Sequence, residues 1–298
     1  PYVYDIEVGD NHNFIIGSNN AYMDGPIVSN CHHIAAEVFS RALHKINTKY
    51  MLGLSATPKR KDGLSKIFEW YLGPYLFIQD NASKKNADLI INTVHYNHDC
   101  EFYSQEETSY GGKICIPKMI TNITTFNRRT DIIYMLLERC VKEGRKTLVL
   151  SDRRDHLKYI YNMVNDRELA SIGYYIGGMK ELELKCSEDK DILLGTYAMS
   201  SEGMDIPSLN TLIMASPKGE IEQSVGRILR KKHDINPIVY DIVDDFSVFT
   251  GQYYKRMRFY KRNNYPIYKT EIYDYYKREI YDYSKKEISG TDLVLIWY

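Results

Sequence analysis

Between residues 147 and 243, short apolar runs alternate with longer mixed stretches. The runs Thr147–Ser151, Ile172–Ile176, Asp191–Thr196, Thr211–Ala215 and Ile238–Val243 have the length and branched content of buried strands. Between them, Asp155–Asn165 and Glu220–Leu229 repeat apolar positions at helical spacing, as does Thr130–Val141 just before. Strands that are apolar on both sides and alternate with helices predict an α/β fold with a parallel sheet covered on both faces.

The front of the chain has another texture. Val3–Val8 alternates like a half-buried strand, and Asn11–Phe14, Gly17–Asn20 and Asp24–Pro26 carry turn residues. From Cys31 the pattern changes: Ile34–Lys45 is helical in spacing, while Tyr50–Leu54 and Leu89–Val94 are strand candidates. The polar stretch from Asn97 to Lys113, with Gly111-Gly112 near its end, suggests a linker or hairpin. We place that linker over residues 97–128. The tail, 251–298, is rich in tyrosine and lysine. It contains a near-repeat, Glu271–Arg278 followed by Glu279–Lys286, before an apolar end at Asp292–Tyr298. One duplication is too little for a solenoid.

Composition narrows the class. A chain of 298 residues has room for about two domains. Lysine plus arginine number 39 and so do aspartate plus glutamate, so any nucleic-acid surface must be a local patch. The five cysteines (Cys31, Cys100, Cys115, Cys140, Cys186) are odd in number and scattered. They point to a reducing compartment, cytoplasmic, nuclear or a viral factory, not to a secreted disulfide scaffold. No apolar run approaches the ~20 residues of a membrane span. The chain opens on Pro1, and we expect a fragment or a processed product.

Three segments carry candidate chemistry. In Gln223–Arg230, Arg227 and Arg230 lie three apart and Gln223 four before Arg227, so a continuous helix would place all three on one face. Two guanidinium forks converging on one spot suit phosphate oxygens, and an arginine supplied across a cleft stabilises phosphoryl transfer. A solvated basic face is the bland alternative. Ser55, Ala56 and Thr57 end a strand, where open α/β sheets bind ligands, although such hydroxyls often serve only as caps. Between these lies Thr196 with Glu202, Gly203 and Asp205. There the glycine frees the backbone and Asp205 either accepts hydrogen bonds from a ligand or caps a helix.

Taken in order, these segments resemble superfamily-2 helicases: Ser55–Thr57 their motif III, Thr196–Asp205 motif V, Gln223–Arg230 motif VI. Lys146–Ser151, with Arg153 and His156 after it, resembles the strand opening the second RecA-like domain. The resemblance covers roughly residues 31–250. It implies RecA-like domains, one partial (31–96) and one nearly complete (129–250), with ATP and Mg2+ in a cleft and DNA or RNA crossing both. Arg227 and Arg230 would then be the arginine fingers, with Gln223 beside them. Asp205 would sit at ribose or the hydrolysis site, and Ser55, Ala56, Thr57, Thr196, Glu202 and Gly203 would couple nucleotide to nucleic acid.

The Gly-rich Lys-Ser/Thr phosphate loop and the Asp-Glu pair of such enzymes are missing from the 298 residues. Where the family carries Asp-Glu-x-His, Cys31-His32 keeps the last two positions, with His32 retained among the site residues, and Ser29-Asn30 stands in place of the acids. The preceding residues resemble the C-terminal end of an intein, a small all-β, Hint-type fragment over 1–30. Val3–Val8 and Asp10–Phe14 resemble its penultimate block, and Gly25–Asn30 followed by Cys31 its splice junction. The chemistry suits the residue types. An asparagine amide attacks its own carbonyl to release the chain, and a following cysteine receives the upstream segment. Asp5 and His12 would supply acid–base help to Asn30 and Cys31. Ser29 departs from the histidine common at that position, which puts the efficiency of asparagine cyclisation in doubt. Splicing would join an upstream fragment ending in Asp-Glu to Cys31.

Two further readings stay open: a non-catalytic RecA-like module, and a splicing element whose host is incidental. His95, His98 and Cys100 invite a zinc reading, but the chain lacks a paired CxxC, and we expect no metal site there. Lys59-Arg60-Lys61 is a basic cluster just after the motif III segment.

Overall fold

The computed structural model describes residues 89–98, 100–201 and 204–273. It also describes the strands Asn13–Ile15, Ile27–Asn30, Met51–Leu54 and Val294–Trp297 and a few positions between 66 and 74. The chain divides into two compact units, Pro1–Asp80 and Asn81–Tyr298.

In the first unit, β1 (Asn13–Ile15) pairs antiparallel with β2 (Ile27–Asn30), which pairs parallel with β3 (Met51–Leu54). Asn13 and Phe14, expected in a turn, are therefore strand residues, with Phe14 opposite Val28. The strand expected at Val3–Val8, the helix at Ile34–Lys45 and the basic cluster at 59–61 lie outside the described residues.

The second unit is built on a sheet of eight strands. Seven are β4 (Ile90–Asn97), β5 (Thr147–Leu150), β6 (Ile172–Tyr175), β7 (Ile192–Gly195), β8 (Thr211–Met214), β9 (Ile238–Asp244) and β10 (Ile267–Tyr273). The eighth is β11 (Val294–Trp297). The order is β11-β10-β4-β9-β8-β5-β7-β6. All pairs are parallel except β10 with β11. This is the parallel-sheet α/β fold expected from the alternating pattern.

Alternate residues of each strand face opposite layers, so one four-residue strand feeds both. Val149, Leu194, Ile213 and Tyr240 enter one core layer, against α1 (Glu101–Ser104), α2 (Ile116–Thr125), α3 (Asn127–Lys142) and α4 (Arg154–Asp166). Leu148, Leu150, Leu193, Leu212 and Val239 enter the other. There they meet side chains from α5 (Glu181–Glu188), α7 (Glu222–Arg227) and α8 (Ser247–Arg262), and Tyr197 of the single-turn α6 (Tyr197–Ser201).

Three expectations are corrected. The strand counted with residues 31–96 is a central member of the second unit's sheet, between β9 and β10. The boundary falls at Asp80/Asn81, because burying β4 on both faces requires those neighbours. Of the linker or hairpin expected over 97–128, a hairpin is present and only the linker reading is corrected. Thr108 and Ile114 form an antiparallel bridge around the Gly111-Gly112 turn, and two helices flank it. α2 places Ile116, Met119, Ile120 and Ile123 along one stripe and starts with Pro117 in its first turn, where a missing N–H costs nothing. Finally, the region after 251 is built into the fold: most of α8 lies there, and β10 and β11 extend the sheet beyond β4. The first copy of the near-repeat begins inside β10.

Candidate functional site

The chain runs outward from β5 to β6 and returns through β7, whereas β8 lies on the other side of β5. Such a reversal opens a crevice at the carboxyl ends of the two strands. Two short segments, Ser151–Arg153 after β5 and Ala215–Lys218 after β8, meet at this edge. The Asp152 amide donates to Ser216 Oγ at 2.9 Å, and Lys218 Nζ reaches the Asp152 carboxylate at 3.3 Å. Tyr197, at the start of α6, donates its hydroxyl to the Ser216 carbonyl at 2.8 Å, with the Lys218 ammonium 5.2 Å above its ring. Burial pushes the Tyr197 phenol far up, so it acts only as a neutral donor.

Two buried ion pairs hold this edge from behind. Arg129 of α3 binds Asp244 at the end of β9 with both forks, Nε to Oδ1 at 2.6 Å and Nη2 to Oδ2 at 2.7 Å. Its third contact, from Nη1, goes to the Ala215 carbonyl at 2.6 Å, and Tyr103 also donates to Asp244 at 2.6 Å. The Asp244 charge keeps the Arg129 guanidinium protonated against a large desolvation cost. Arg256 of α8 plays the parallel part. Its Nε donates to Asp241 at 2.8 Å and its Nη1 to the Lys218 carbonyl at 2.7 Å, while Tyr260 donates to the same carboxylate at 3.0 Å. The backbone on either side of Ser216 is thus fixed by one guanidinium from each helical layer.

His156 is buried between two hydroxyls, Ser151 Oγ at 3.1 Å from Nδ1 and Thr130 Oγ1 at 3.2 Å from Nε2. Burial, with the Arg129 charge second, lowers its pKa to about 3, so the ring is neutral and ties β5 to α3. Arg153 leaves the crevice, donating to Thr121 Oγ1 at 3.0 Å and to the Pro117 carbonyl at 2.5 Å.

The second and third sequence segments meet beside this edge. Thr196 caps α6: its hydroxyl oxygen accepts from the Met199 amide at 3.4 Å and its carbonyl from the Ser200 amide at 3.0 Å. Ser200 Oγ and Ser224 Oγ lie 3.1 Å apart. Arg227 is buried and turns inward, Nε to the Ser200 carbonyl and Nη1 to the Met204 carbonyl at 2.6 Å. Arg230 pairs with the carboxylate of Asp205. Arg227 thus reaches the Ser200 and Met204 carbonyls and Arg230 the Asp205 carboxylate, and the two do not lie along one helix. α7 ends at Arg227, so Arg230 lies beyond it, and Gln223 is half-buried in its first turn. The helix, Glu222–Arg227, is shorter than the 220–229 expected from the sequence.

Asp5, His12, Cys31, His32, Ser55, Ala56, Thr57, Glu202 and Gly203 lie outside the described residues. Asn30 ends β2, paired with Leu54 of β3. His95, His98 and Cys100 do not converge. The ring nitrogen Nδ1 of His98 accepts from the Cys100 amide at 2.9 Å, and His95 lies edge-on to Tyr253. Sequence reasoning missed Asp152, Ser216, Lys218, Arg129 and Asp244. The strand-end logic applied to Ser55–Thr57 reaches Ser216–Lys218 equally well, whereas the two carboxylate–arginine pairs leave no local signal.

Fold and edge geometry define a parallel-sheet α/β domain that matches the RecA-like domains of helicases. In T4 UvsW the matching region scores a TM of 0.50 at 19% identity, covering 74% of this chain and 48% of that one. In S. cerevisiae Dbp5 bound to RNA and ADP BeF3 the score is 0.53 at 10% identity, covering 82% and 59%. Among curated proteins, the "Putative ATP-dependent RNA helicase L396" of Acanthamoeba polyphaga mimivirus is 39% identical over 250 residues, 81% of this chain and 47% of its own length. "Probable helicase D10" of Escherichia phage T5 is 28% identical over 251 residues, 80% of this chain and 53% of its own. The chain spans about half the length of the curated relatives it matches. No protein-family model matches it. Among the described residues no helix is long and apolar enough to cross a membrane.

Proposed function

We propose that this chain is the C-terminal half of an ATP-dependent nucleic-acid helicase or translocase, and that protein splicing at Asn30/Cys31 joins it to its N-terminal half. The observation that carries the motor reading is the latch between the second and third segments: Arg227 on the Ser200 and Met204 carbonyls, and Arg230 on Asp205. The helicase relatives support it.

The latch divides the work of the two arginines. Arg227 is buried on the Ser200 and Met204 carbonyls and is a positioning residue for the backbone at those two positions. Arg230 and Asp205 keep 30% and 61% of their side chains exposed, so a phosphate oxygen can replace the carboxylate as partner of the fork. ATP would be the ligand there, supplying the phosphoryl group whose developing charge Arg230 neutralises. Among the described residues no three His, Cys, Asp or Glu side chains come together to hold a metal ion. Mg2+, and most of the nucleotide, would be held by a phosphate loop and an Asp-Glu pair on the upstream segment. DNA or RNA would lie along the carboxyl edge by Asp152 and Lys218, with Ser55–Thr57, Thr196, Glu202 and Gly203 relaying nucleotide state.

For splicing, the Cys31 thiolate takes the upstream acyl group from a junction thioester whose thiol leaves. The Asn30 side-chain amide then attacks its own carbonyl, breaking the Asn30–Cys31 bond with the Cys31 amine as leaving group. That amine takes the acyl group from the Cys31 sulfur to form the peptide bond, with Asp5 and His12 as proton donors or acceptors. The test is co-expression with the upstream coding fragment. A ligated product joined at Cys31 is expected, and Asn30→Ala should prevent release of residues 1–30. The ligated protein should hydrolyse ATP faster with nucleic acid, and Arg230→Ala should lower kcat by about 10³-fold or more. Unstimulated hydrolysis, or an Arg230→Ala variant of parental activity, overturns the motor reading. Unjoined halves whose behaviour Asn30→Ala does not change overturn the splicing reading.

A further inference from the structure

We infer that the outer face of α8 is a separate contact for the phosphate backbone of single-stranded nucleic acid, remote in sequence from the three segments of the motor reading. The inference takes its partner class from that reading.

Although the whole chain is charge-balanced, Phe246–Thr270 contains no aspartate or glutamate and carries Lys255, Arg256, Arg258, Lys261, Arg262 and Lys269. The fold sorts these cations. At ~100° per residue, Phe249, Tyr253, Arg256 and Tyr260 fall on one side of α8, and three of them are buried. Arg256 is consumed there by Asp241. On the other side, Gly251, Tyr254, Lys255, Arg258, Lys261 and Arg262 occupy an arc of roughly 120°, and all are exposed. Arg262 pairs with Glu222, and Lys269 on neighbouring β10 pairs with Glu271. Lys255, Arg258 and Lys261 have no carboxylate within ion-pair distance among the described residues. Three uncompensated cations thus run along two helical turns, about 9 Å from first to last.

A solvated lysine face would account for the cations, but not for what lies among them. Tyr254, between Lys261 and Arg258 on the arc, is 62% exposed. It offers a flat stacking surface at the same level as the charges, the combination that binds single strands without sequence preference. Gly251, one turn earlier, has nothing within 4 Å of where a side chain would begin. A glycine inside a helix costs about 1 kcal/mol against alanine. Its position on this arc opens the helix backbone to close approach by a phosphate chain.

The test measures binding of the full chain to a labelled mixed-sequence single-stranded oligonucleotide, without ATP, between about 50 and 200 mM salt. Removing three phosphate contacts with Lys255→Ala/Arg258→Ala/Lys261→Ala should flatten the slope of log affinity against log salt by about 2, since each single-strand contact contributes ~0.7. A control variant, Lys118→Ala/Lys142→Ala/Lys158→Ala, removes equal charge from exposed positions on α2, α3 and α4 and should leave the slope near the parental value. Tyr254→Ala should weaken single-strand binding about tenfold and duplex binding little. Equal slopes in parent and α8 variant, equal losses in the two triple variants, or binding to anionic lipid vesicles but not to the oligonucleotide, each overturn the inference. Failure of the motor reading looks different: α8-dependent oligonucleotide binding survives while nucleic acid fails to stimulate the ligated ATPase.

Discussion

Replacing Arg129 by methionine tests how the crevice is held. Arg129 and Asp244 are both fully buried, with two fork contacts at 2.6 and 2.7 Å. Methionine fills much of the arginine volume but leaves the Asp244 carboxylate uncompensated, with the Tyr103 hydroxyl its remaining side-chain donor among the described residues. Breaking a buried pair from one side costs about 3–5 kcal/mol. In a unit of this size each kcal/mol lowers Tm by about 2–4 °C, so Arg129→Met should melt roughly 6–20 °C below the parent by circular dichroism. Removing the whole polar cluster, with Arg129→Met, Asp244→Leu and Tyr103→Phe together, should recover most of that loss. A deficit of about 1–3 kcal/mol should persist, because the Ala215 carbonyl loses its 2.6 Å donor in both variants. A single variant that melts within about 2 °C of the parent, or a triple variant no more stable than the single, would refute this role of the Arg129–Asp244 pair.

Two further outcomes follow from the same interior. His156 is neutral when folded, with a pKa of about 3, and ordinary, near 6.5, when unfolded. The unfolded chain therefore takes up a proton first as pH falls through 6.5, and stability drops progressively down to about pH 3. The contribution between pH 7 and pH 5 is about 2 kcal/mol, and His156→Gln should remove that part of the pH dependence of Tm. Gly173 in β6 stands where an added side chain would meet Ser187 Cβ and Oγ at 3.0 Å and Lys190 Cγ at 3.1 Å. Gly173→Ala should consequently cost about 1–3 kcal/mol in urea unfolding. A neutral effect would mean that α5 yields against the sheet edge.

The sequence by itself determined the layering of the second unit. Runs such as Thr147–Ser151 and Ile192–Gly195 are apolar on both sides, and only a sheet buried on both faces satisfies that, so the class and most strand positions were legible without coordinates. It also singled out Arg227 and Arg230, although the shared helix face their spacing implied is not present, since α7 ends at Arg227. Ile116, Met119, Ile120 and Ile123 held a helical signal as well, overshadowed by the polar residues before them. Tertiary structure alone decided which strands are neighbours. β4, β10 and β11 join one sheet although almost 200 residues separate β4 from β11, since backbone pairing depends on which edges meet and not on nearness along the chain. The same holds for the carboxylates. Nothing near Arg129 or Arg256 announces Asp244 or Asp241, because a buried charge needs only a partner in space. The inward turn of Arg227 was likewise beyond the sequence: spacing fixes the face a side chain leaves from, whereas its partner is set by whatever loop the fold brings opposite.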